Sequence, residues 1–433
     1  MPSYSPSGLR AVCQRLLPIP NSTYPFLLAF LFIHSFWIYY DIAITSHERH
    51  RPRREPVRVT ESSPLTPFYP PSPGVKYNGY ARSFPVWEHP FPCGDLEDIG
   101  DEKLQRSRKQ VNEGFFYVRL LDASPSICSS VTTRIGRNVA RRQLHQSHDH
   151  GGNNRTKVCT SRIGSQRAKQ FYARSPQKSF LWSVVREPVD RLISKYYHYS
   201  RPIEKGGNRE RAFSEFQHYV LDSERHDYGY YFRSLGVKRT LNPYEKQHEA
   251  DTQELLESYD FLGISERMDE SLAVLKLILN LEIEDVLYLA TPKAKGTTTP
   301  SGSSIDFYQH WQRTCRAIRE PDVTMEMKKW FHSEEFEAYI EADVLFYKAV
   351  NASLDKTILE IGRERVETTV RQLKWAQKRI EEECRGARFP CSSGGEFQKE
   401  TDCFFADVGC GYNCIDSLSE TFSQDPVFQK LAK

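Results

Sequence analysis

A strand, a sharp turn and a helix follow one another in SFLWSVVREPVDRLISKYYHY, residues 179–199. The run 179–185 carries no charge, which is typical of a strand buried on both faces. Arg186, Glu187 and Pro188 end this run, because proline cannot continue a central strand and suits the first position of a helix. The sequence therefore predicts a strand-turn-helix unit with Arg186 at the carboxyl end of the strand.

Two further stretches repeat this order. GFFYVRLL (114–121) predicts a strand, followed by a serine-rich loop over 122–130 and a basic helix from Val131. YDFLGI (259–264) predicts another strand, followed by the amphipathic segment DESLAVLKLILNL. This alternation predicts an α/β fold, a parallel sheet with helices on its faces. Ligands of such sheets bind beyond the carboxyl ends of the strands.

The charge of the chain is unevenly distributed. The 433 residues have a formal net charge of only +3, yet residues 111–200 contain 15 Lys and Arg against 5 Asp and Glu. Such a region is either a solvated face or the binding surface of an anionic ligand. Because no Lys/Arg-rich nucleic-acid motif is present, we expect a nucleotide or an acidic glycan and no nucleic acid.

The N-terminal quarter of the chain predicts a membrane anchor and a stalk. Residues 24–44 are apolar enough to cross a bilayer as a signal anchor. Residues 1–23 would then be a cytosolic tail and residues 45–110 a Pro-rich stem. A cleaved secretory signal is the alternative. The cluster Arg49, Arg51, Arg53 and Arg54 after the anchor argues against a lumenal orientation under the positive-inside rule.

The cysteines favour the lumenal orientation. Nine follow the predicted anchor, and five of these lie between Cys384 and Cys414 without CxxC spacing. This pattern predicts a disulfide framework rather than zinc sites. An odd number cannot all pair, and Cys128 is a plausible free thiol. The glycosylation triplets at Asn154 and Asn351 point the same way.

The remaining chain divides into three predicted parts. Residues 111–353 form the α/β body, residues 354–383 a long exposed helix leading out of it, and residues 384–433 a cysteine-rich C-terminal module. A coiled coil is the alternative for the helix. The sequence does not indicate an oligomeric state.

Two strand ends carry residues suited to a phosphate group. At the first, hydroxyls combine with the free N–H groups of a helix start; the residues are Ser124, Ser126, Ser129 and Ser130. At the second, Arg186 is followed by Arg191 and Ser194 on one helical face. The alternative is that both arginines form structural ion pairs with Glu187 or Asp190.

Residues 186–197, R-E-P-V-D-R-L-I-S-K-Y-Y, resemble the segment R-[DE]-P-x-x-R-x-x-S-x-Y-Y of the Golgi membrane-bound carbohydrate sulfotransferases. Residues 259–279 and 346–358 resemble later parts of the same group, and the likeness covers roughly residues 111–385. The resemblance implies a P-loop-like sulfotransferase fold. It also implies transfer of sulfonate from 3′-phosphoadenosine 5′-phosphosulfate (PAPS), without a metal, to a hydroxyl of a glycan or glycolipid. The implied location is the Golgi membrane, as a single-pass type II protein with a lumenal catalytic domain.

The resemblance also assigns roles to residues. Arg186 and Ser194 would hold the 3′-phosphate of PAPS, with Arg191 in support, and the loop 122–130 would hold the 5′-phosphosulfate. Asp122 stands where the family usually has a lysine that stabilises the leaving group. Two consequences stay open. Nearby cations could compensate, from Arg119, Arg134 or Arg137, or the protein is a weak or inactive relative with a binding or scaffold role.

The catalytic base is a second departure from the family. Related enzymes often have a histidine some twenty residues before R-[DE]-P, and Ser165 occupies the comparable place here. His148 and His150 are the candidates, with His145 and His198 behind them. The alternative for the histidine-rich stretch is a polar surface loop.

Overall fold

The structure is a computed structural model. It describes parts of the compact unit Pro70–Lys433, namely residues 94–95, 114–120, 125–146, 157–158, 160–164, 172, 179–200, 209–221, 228–237, 248–294, 305–311, 313–319 and 321–431.

The described strands are numbered in chain order. They are β1 Gly94–Asp95, β2 Gly114–Arg119, β3 Lys157–Val158, β4 Thr160–Gly164, β5 Ser179–Val185, β6 Phe261–Ile264, β7 Ile305–Trp311 and β8 Thr314–Arg319. Four of them form the central parallel sheet, in the order β4-β2-β5-β6. Strands β1 and β3 form a short antiparallel pair, and β7 and β8 form an antiparallel hairpin.

The described α-helices are numbered in the same way. They are α1 Pro125–Gln146, α2 Pro188–Lys195, α3 Arg209–Leu221, α4 Tyr230–Leu235, α5 His248–Ser258, α6 Met268–Ile278, α7 Met325–Trp330, α8 Glu334–Ile361, α9 Arg363–Glu383, α10 Tyr412–Ser419 and α11 Pro426–Leu431. Each of β2, β5 and β6 is followed by a helix, which confirms the predicted parallel α/β architecture.

The core surrounds the central strand β5, in which every residue is buried. Its Trp182 ring lies 4.8 Å from the ring of Tyr117 on β2, measured between centroids. The hydroxyl of Ser183 donates a hydrogen bond of 2.8 Å to the carbonyl of Val118. Because both faces of β5 are covered, its sequence is uncharged and apolar apart from Ser179 and the hydrogen-bonded Ser183.

The start of α1 differs from the prediction. We expected a loop over 122–130, but the helix begins at Pro125 and includes Ser126, Ser129 and Ser130. The reason is the Ser124-Pro125 pair: proline at the first helical position is favourable because its missing N–H would have no partner there. This signal was available in the sequence and outweighs the weak helix propensity of serine.

The segment 354–383 also differs from the prediction. It contains the end of α8 and all of α9, which meet at Gly362 with φ of 102°. The apolar stripe of α9 faces the main core, through Val366, Leu373, Ala376 and Ile380. The expectation of an exposed helix leading out of the body is therefore wrong, because its charged stripe alone faces solvent.

The disulfide framework is confirmed within the described residues. The pairs are Cys315–Cys391, Cys384–Cys414 and Cys403–Cys410. Cys128 is free and buried in α1, as predicted. Burial raises the pKa of its thiol to about 12.

The predicted membrane anchor lies outside the described residues, whereas one predicted glycosylation triplet lies inside them. Residues 24–44 lie outside the described residues, among which no helix has the length and apolarity to cross a membrane. Asn351 lies inside α8, where its side-chain oxygen accepts a hydrogen bond of 2.8 Å from Arg267. That triplet therefore gives little support to a glycosylated protein, because an acceptor asparagine is expected in an accessible loop.

Candidate functional site

The sheet brings the predicted strand ends to one edge. Strands β2 and β5 are parallel neighbours, with Tyr117 opposite Trp182. Strand β6 lies on the other side of β5, with Ile264 opposite Val185. The residues that follow these strands therefore share the carboxyl edge, where open α/β sheets bind their ligands.

Arg186 is the first residue beyond β5 at this edge. Its backbone is fixed by Tyr231, whose hydroxyl accepts from the Arg186 N–H at 3.0 Å and donates to the Arg186 carbonyl. The guanidinium is less constrained: its Nε lies 3.9 Å from Oε1 of Glu266, and 31% of the side chain is exposed. A fixed backbone with an accessible guanidinium suits the binding of an anion.

Glu187 and Pro188 set the turn into α2. The Glu187 carboxylate caps the helix by accepting from the Asp190 N–H at 2.8 Å, and Pro188 occupies the first turn. The Glu187 N–H donates to Oε1 of Glu266 at 3.0 Å. Burial raises the pKa of the Glu187 carboxyl. The acidic residue and the proline of this segment thus have a structural role in orienting Arg186.

Arg191 does not reach the sheet edge as an anion ligand. Its side chain is 1% exposed, and its Nη2 lies 3.2 Å from Oδ2 of Asp343. The guanidinium also stacks on the ring of Tyr230, 4.0 Å from the centroid. Asp343 in turn accepts from the N–H groups of Tyr230 and Tyr231. Arg191 therefore joins α2 to α4 and α8, which corrects the prediction that it supports the donor phosphate.

The alternative prediction, that both arginines form structural ion pairs, gave the wrong acidic partners. We considered Glu187 and Asp190 because they are adjacent in sequence, whereas the observed partner Asp343 lies 152 residues away. Ser194 lies half-buried on α2, eight residues after Arg186. Its role at the 3′-phosphate stays a prediction.

The serine-rich segment is only partly described. Asp122 and Ser124 lie outside the described residues, and the side chain of Ser126 is not described. Ser129 is 1% exposed, and its hydroxyl has no hydrogen-bond partner among the residues that the structure describes. Ser130 is different, because its hydroxyl accepts from the N–H of Gly409 at 3.0 Å. Ser130 therefore contacts the C-terminal module, and the role of Ser129 at the donor stays a prediction.

The two α1 arginines that were candidates to compensate for Asp122, Arg134 and Arg137, share an acidic partner in the C-terminal module. Arg134 Nη2 lies 2.8 Å from Oδ1 of Asp416, and Arg137 Nη1 lies 2.9 Å from Oδ2 of the same carboxylate. Both cations are engaged by the C-terminal module. The side chain of Arg119 is not described.

The candidate bases stay untested. His145 has no described side chain, and His148, His150 and Ser165 lie outside the described residues. His198 lies in the π-helical turn Tyr196–Ser200 after α2. Among the described residues, Glu266 is the carboxylate that forms an ion pair with Arg186.

Glu266 and Tyr231 are site residues that sequence reasoning missed. Glu266 forms an ion pair with Arg186 and accepts hydrogen bonds from the Glu187 N–H and, at 3.2 Å, from the hydroxyl of Tyr347. Its position two residues after β6 could have identified it, since the same edge rule applies to every parallel strand. Tyr231 had no such signal, because its contact with Arg186 depends on the tertiary fold.

The parallel sheet with this strand-turn-helix segment fits the sulfotransferase fold. Residues 113–316 match the family model described as "Sulfotransferase family". The chain is 25% identical over 219 residues to galactosylceramide sulfotransferase of Homo sapiens, covering 48% of this chain and 45% of that protein. The Bos taurus galactosylceramide sulfotransferase matches with the same identity over 220 residues. The chain thus spans about half the length of these relatives, and the carbohydrate sulfotransferase family predicted from residues 186–197 is confirmed.

Proposed function

We propose that the protein transfers a sulfonate group from PAPS to a hydroxyl of a glycan or glycolipid. The observation that carries this proposal is the accessible guanidinium of Arg186 at the carboxyl edge of the sheet, within a segment that matches the sulfotransferase family. The named relatives sulfonate galactosylceramide, so a galactose hydroxyl is the first acceptor to test.

The described residues fit the two anionic ends of the donor. Arg186 and Ser194 would hold the 3′-phosphate. The start of α1, a 22-residue helix, would face the 5′-phosphosulfate with its unpaired N–H groups, and the buried hydroxyl of Ser129 lacks a partner in the described chain. PAPS would supply an activated sulfonate whose bridging oxygen gains negative charge as its bond to sulfur breaks.

Transfer then needs two functions from the chain. Donors must stabilise the charge on the departing 3′-phosphoadenosine 5′-phosphate, and a base must accept the proton of the acceptor hydroxyl. The α1 amide groups serve the first function. We propose His148 or His150 for the second.

The alternative is a sulfotransferase-like protein with little or no activity. One observation favours it: Asp416 is an acidic partner of both Arg134 and Arg137, the α1 cations that are candidates to compensate for Asp122. Loss of one charge-assisted donor at a developing oxyanion costs about 10²- to 10³-fold in rate. The chain would then bind the donor and serve as a partner or scaffold.

We further propose a Golgi membrane location, with a single N-terminal span and the body in the lumen. Three disulfides support an oxidising compartment.

A transfer assay tests the proposal. The full chain would be incubated with PAPS labelled in the sulfonate group and with galactosylceramide or a mixed glycan pool, beside Arg186→Ala and Asp122→Lys. We expect slow transfer by the wild type, loss in Arg186→Ala and a gain in Asp122→Lys. If only Asp122→Lys transfers sulfonate and the wild type does not, the protein is an inactive relative of the sulfotransferases. If neither the wild type nor either variant transfers sulfonate, the proposal that the protein is an enzyme is contradicted.

A further inference from the structure

The C-terminal module, here residues 384–431, contacts the first turns of α1. The N–H of Gly409 donates to the hydroxyl of Ser130 at 3.0 Å, and the hydroxyl of Tyr412 donates to the Ser130 carbonyl. Ser130 and Tyr412 are both buried. Ser130 is five residues beyond Pro125, so these contacts hold α1 about 7.5 Å from its start.

A second set of contacts lies one turn further along α1. The Asp416 carboxylate bridges Arg134 and Arg137, at 2.8 and 2.9 Å. Both guanidinium groups lie over the Tyr412 ring, 5.3 and 5.6 Å from its centroid. Arg134 is fully buried, whereas 20% of the Asp416 side chain is exposed. Asp416 is therefore a shared counter-charge of two buried cations.

The module is itself constrained on its other side. The Cys384–Cys414 disulfide joins the end of α9 to α10, which carries Tyr412 and Asp416. Gly409 has a φ of 69°, and a Cβ there would lie 2.6 Å from the Tyr412 ring. A substitution at this glycine would therefore displace the tyrosine. The disulfide and this turn fix Tyr412 and Asp416 relative to the core.

We propose that Tyr412 and Asp416 are positioning residues for the 5′ side of the donor site. They hold α1, and with it the N–H groups at its start, at the edge where Arg186 binds the 3′-phosphate. This inference rests on the proposed function, because it assigns a role in donor binding to residues of the cysteine-rich module. A purely structural module would affect folding alone, without preference for either end of the donor.

The test compares two nucleotides that differ only at the 5′ end, adenosine 3′,5′-bisphosphate and adenosine 3′-monophosphate. Binding of each to the full chain is measured by calorimetry for the wild type, Asp416→Asn and the milder Tyr412→Phe. We expect each substitution to lower the affinity for the bisphosphate roughly 2- to 30-fold and to leave the affinity for the monophosphate unchanged. Arg186→Ala should weaken both nucleotides.

Glu420→Gln is the matched control, because Glu420 is an exposed carboxylate directly after α10; it should bind both nucleotides like the wild type. Tyr412→Phe removes one hydroxyl and retains the ring, so it tests the inference even if Asp416→Asn fails to fold. The inference would be overturned if folded variants lost affinity for both nucleotides equally, or lost no affinity for either. The proposed function would still stand in both cases. A wild-type chain that binds neither nucleotide would contradict the proposed function as well.

Discussion

The buried pair of Arg191 and Asp343 provides the strongest prediction about stability. Each side chain is only 1% exposed, and their closest atoms are 3.2 Å apart. Asp343→Asn keeps the size of the side chain and one acceptor oxygen but removes the negative charge. Arg191 is then left as a buried cation without its counter-charge. Removing one partner of such a pair typically costs about 3–5 kcal/mol in the free energy of unfolding.

The assay is urea unfolding followed by tryptophan fluorescence, with the double variant Arg191→Met/Asp343→Asn beside the single ones. Replacing both charges leaves no unpaired ion, so we expect the double variant to regain stability, with a coupling energy of about 1–3 kcal/mol. Glu382→Gln is the control. Its partner Lys378 is 77% exposed at 3.9 Å, and loss of such a surface pair changes stability by about 0–1 kcal/mol.

One result would refute this reasoning. If Asp343→Asn is as stable as Glu382→Gln, while Arg191→Met stays folded and loses nucleotide binding, Arg191 acts on the donor as the family resemblance implies. The correction drawn from its burial would then be wrong.

Three further predictions concern the cysteines and a glycosylation triplet. Replacing Cys384 and Cys414 with alanine should lower the free energy of unfolding by about 3–4 kcal/mol, since the bridge closes a loop of 30 residues; urea unfolding measures it. Cys128 should resist alkylation in the native protein at pH 8 and react after unfolding, because its raised pKa keeps the thiol neutral; peptide mapping by mass spectrometry detects the label. Asn351→Gln should not change mobility on a gel when the chain is expressed in mammalian cells, because Asn351 lies within α8 and binds Arg267.

The parts of the fold that were predictable are those with contiguous signals. The unit from Ser179 to Lys195 combines an uncharged run, a capping acid and a proline within a few residues, and each element appears where the sequence predicts it. The Ser124-Pro125 signal was equally local, but the serines around it were read as a loop. Serine-rich composition is typical of a loop, whereas proline marks the first position of a helix, and here the proline is the better guide.

The parts that could not be predicted depend on contacts between distant residues. Arg137 and Asp416 are 279 residues apart, and Arg191 and Asp343 are 152 apart. Nothing local distinguishes a structural arginine from a ligand-binding one, because Arg186 and Arg191 both follow β5 and lie five residues apart. Only burial separates Arg191 from the accessible Arg186.

The central claim is that Arg186 holds the 3′-phosphate of a sulfonate donor. The most direct measurement is the affinity of the full chain for adenosine 3′,5′-bisphosphate, for the wild type, Arg186→Ala and Arg363→Ala. Arg363 is an exposed arginine at the start of α9 and serves as the control. A hydrogen bond to a charged group contributes about 1.5–3 kcal/mol, so we predict saturable binding that falls about 10- to 150-fold in Arg186→Ala alone. Equal affinity of Arg186→Ala and the wild type would contradict the account.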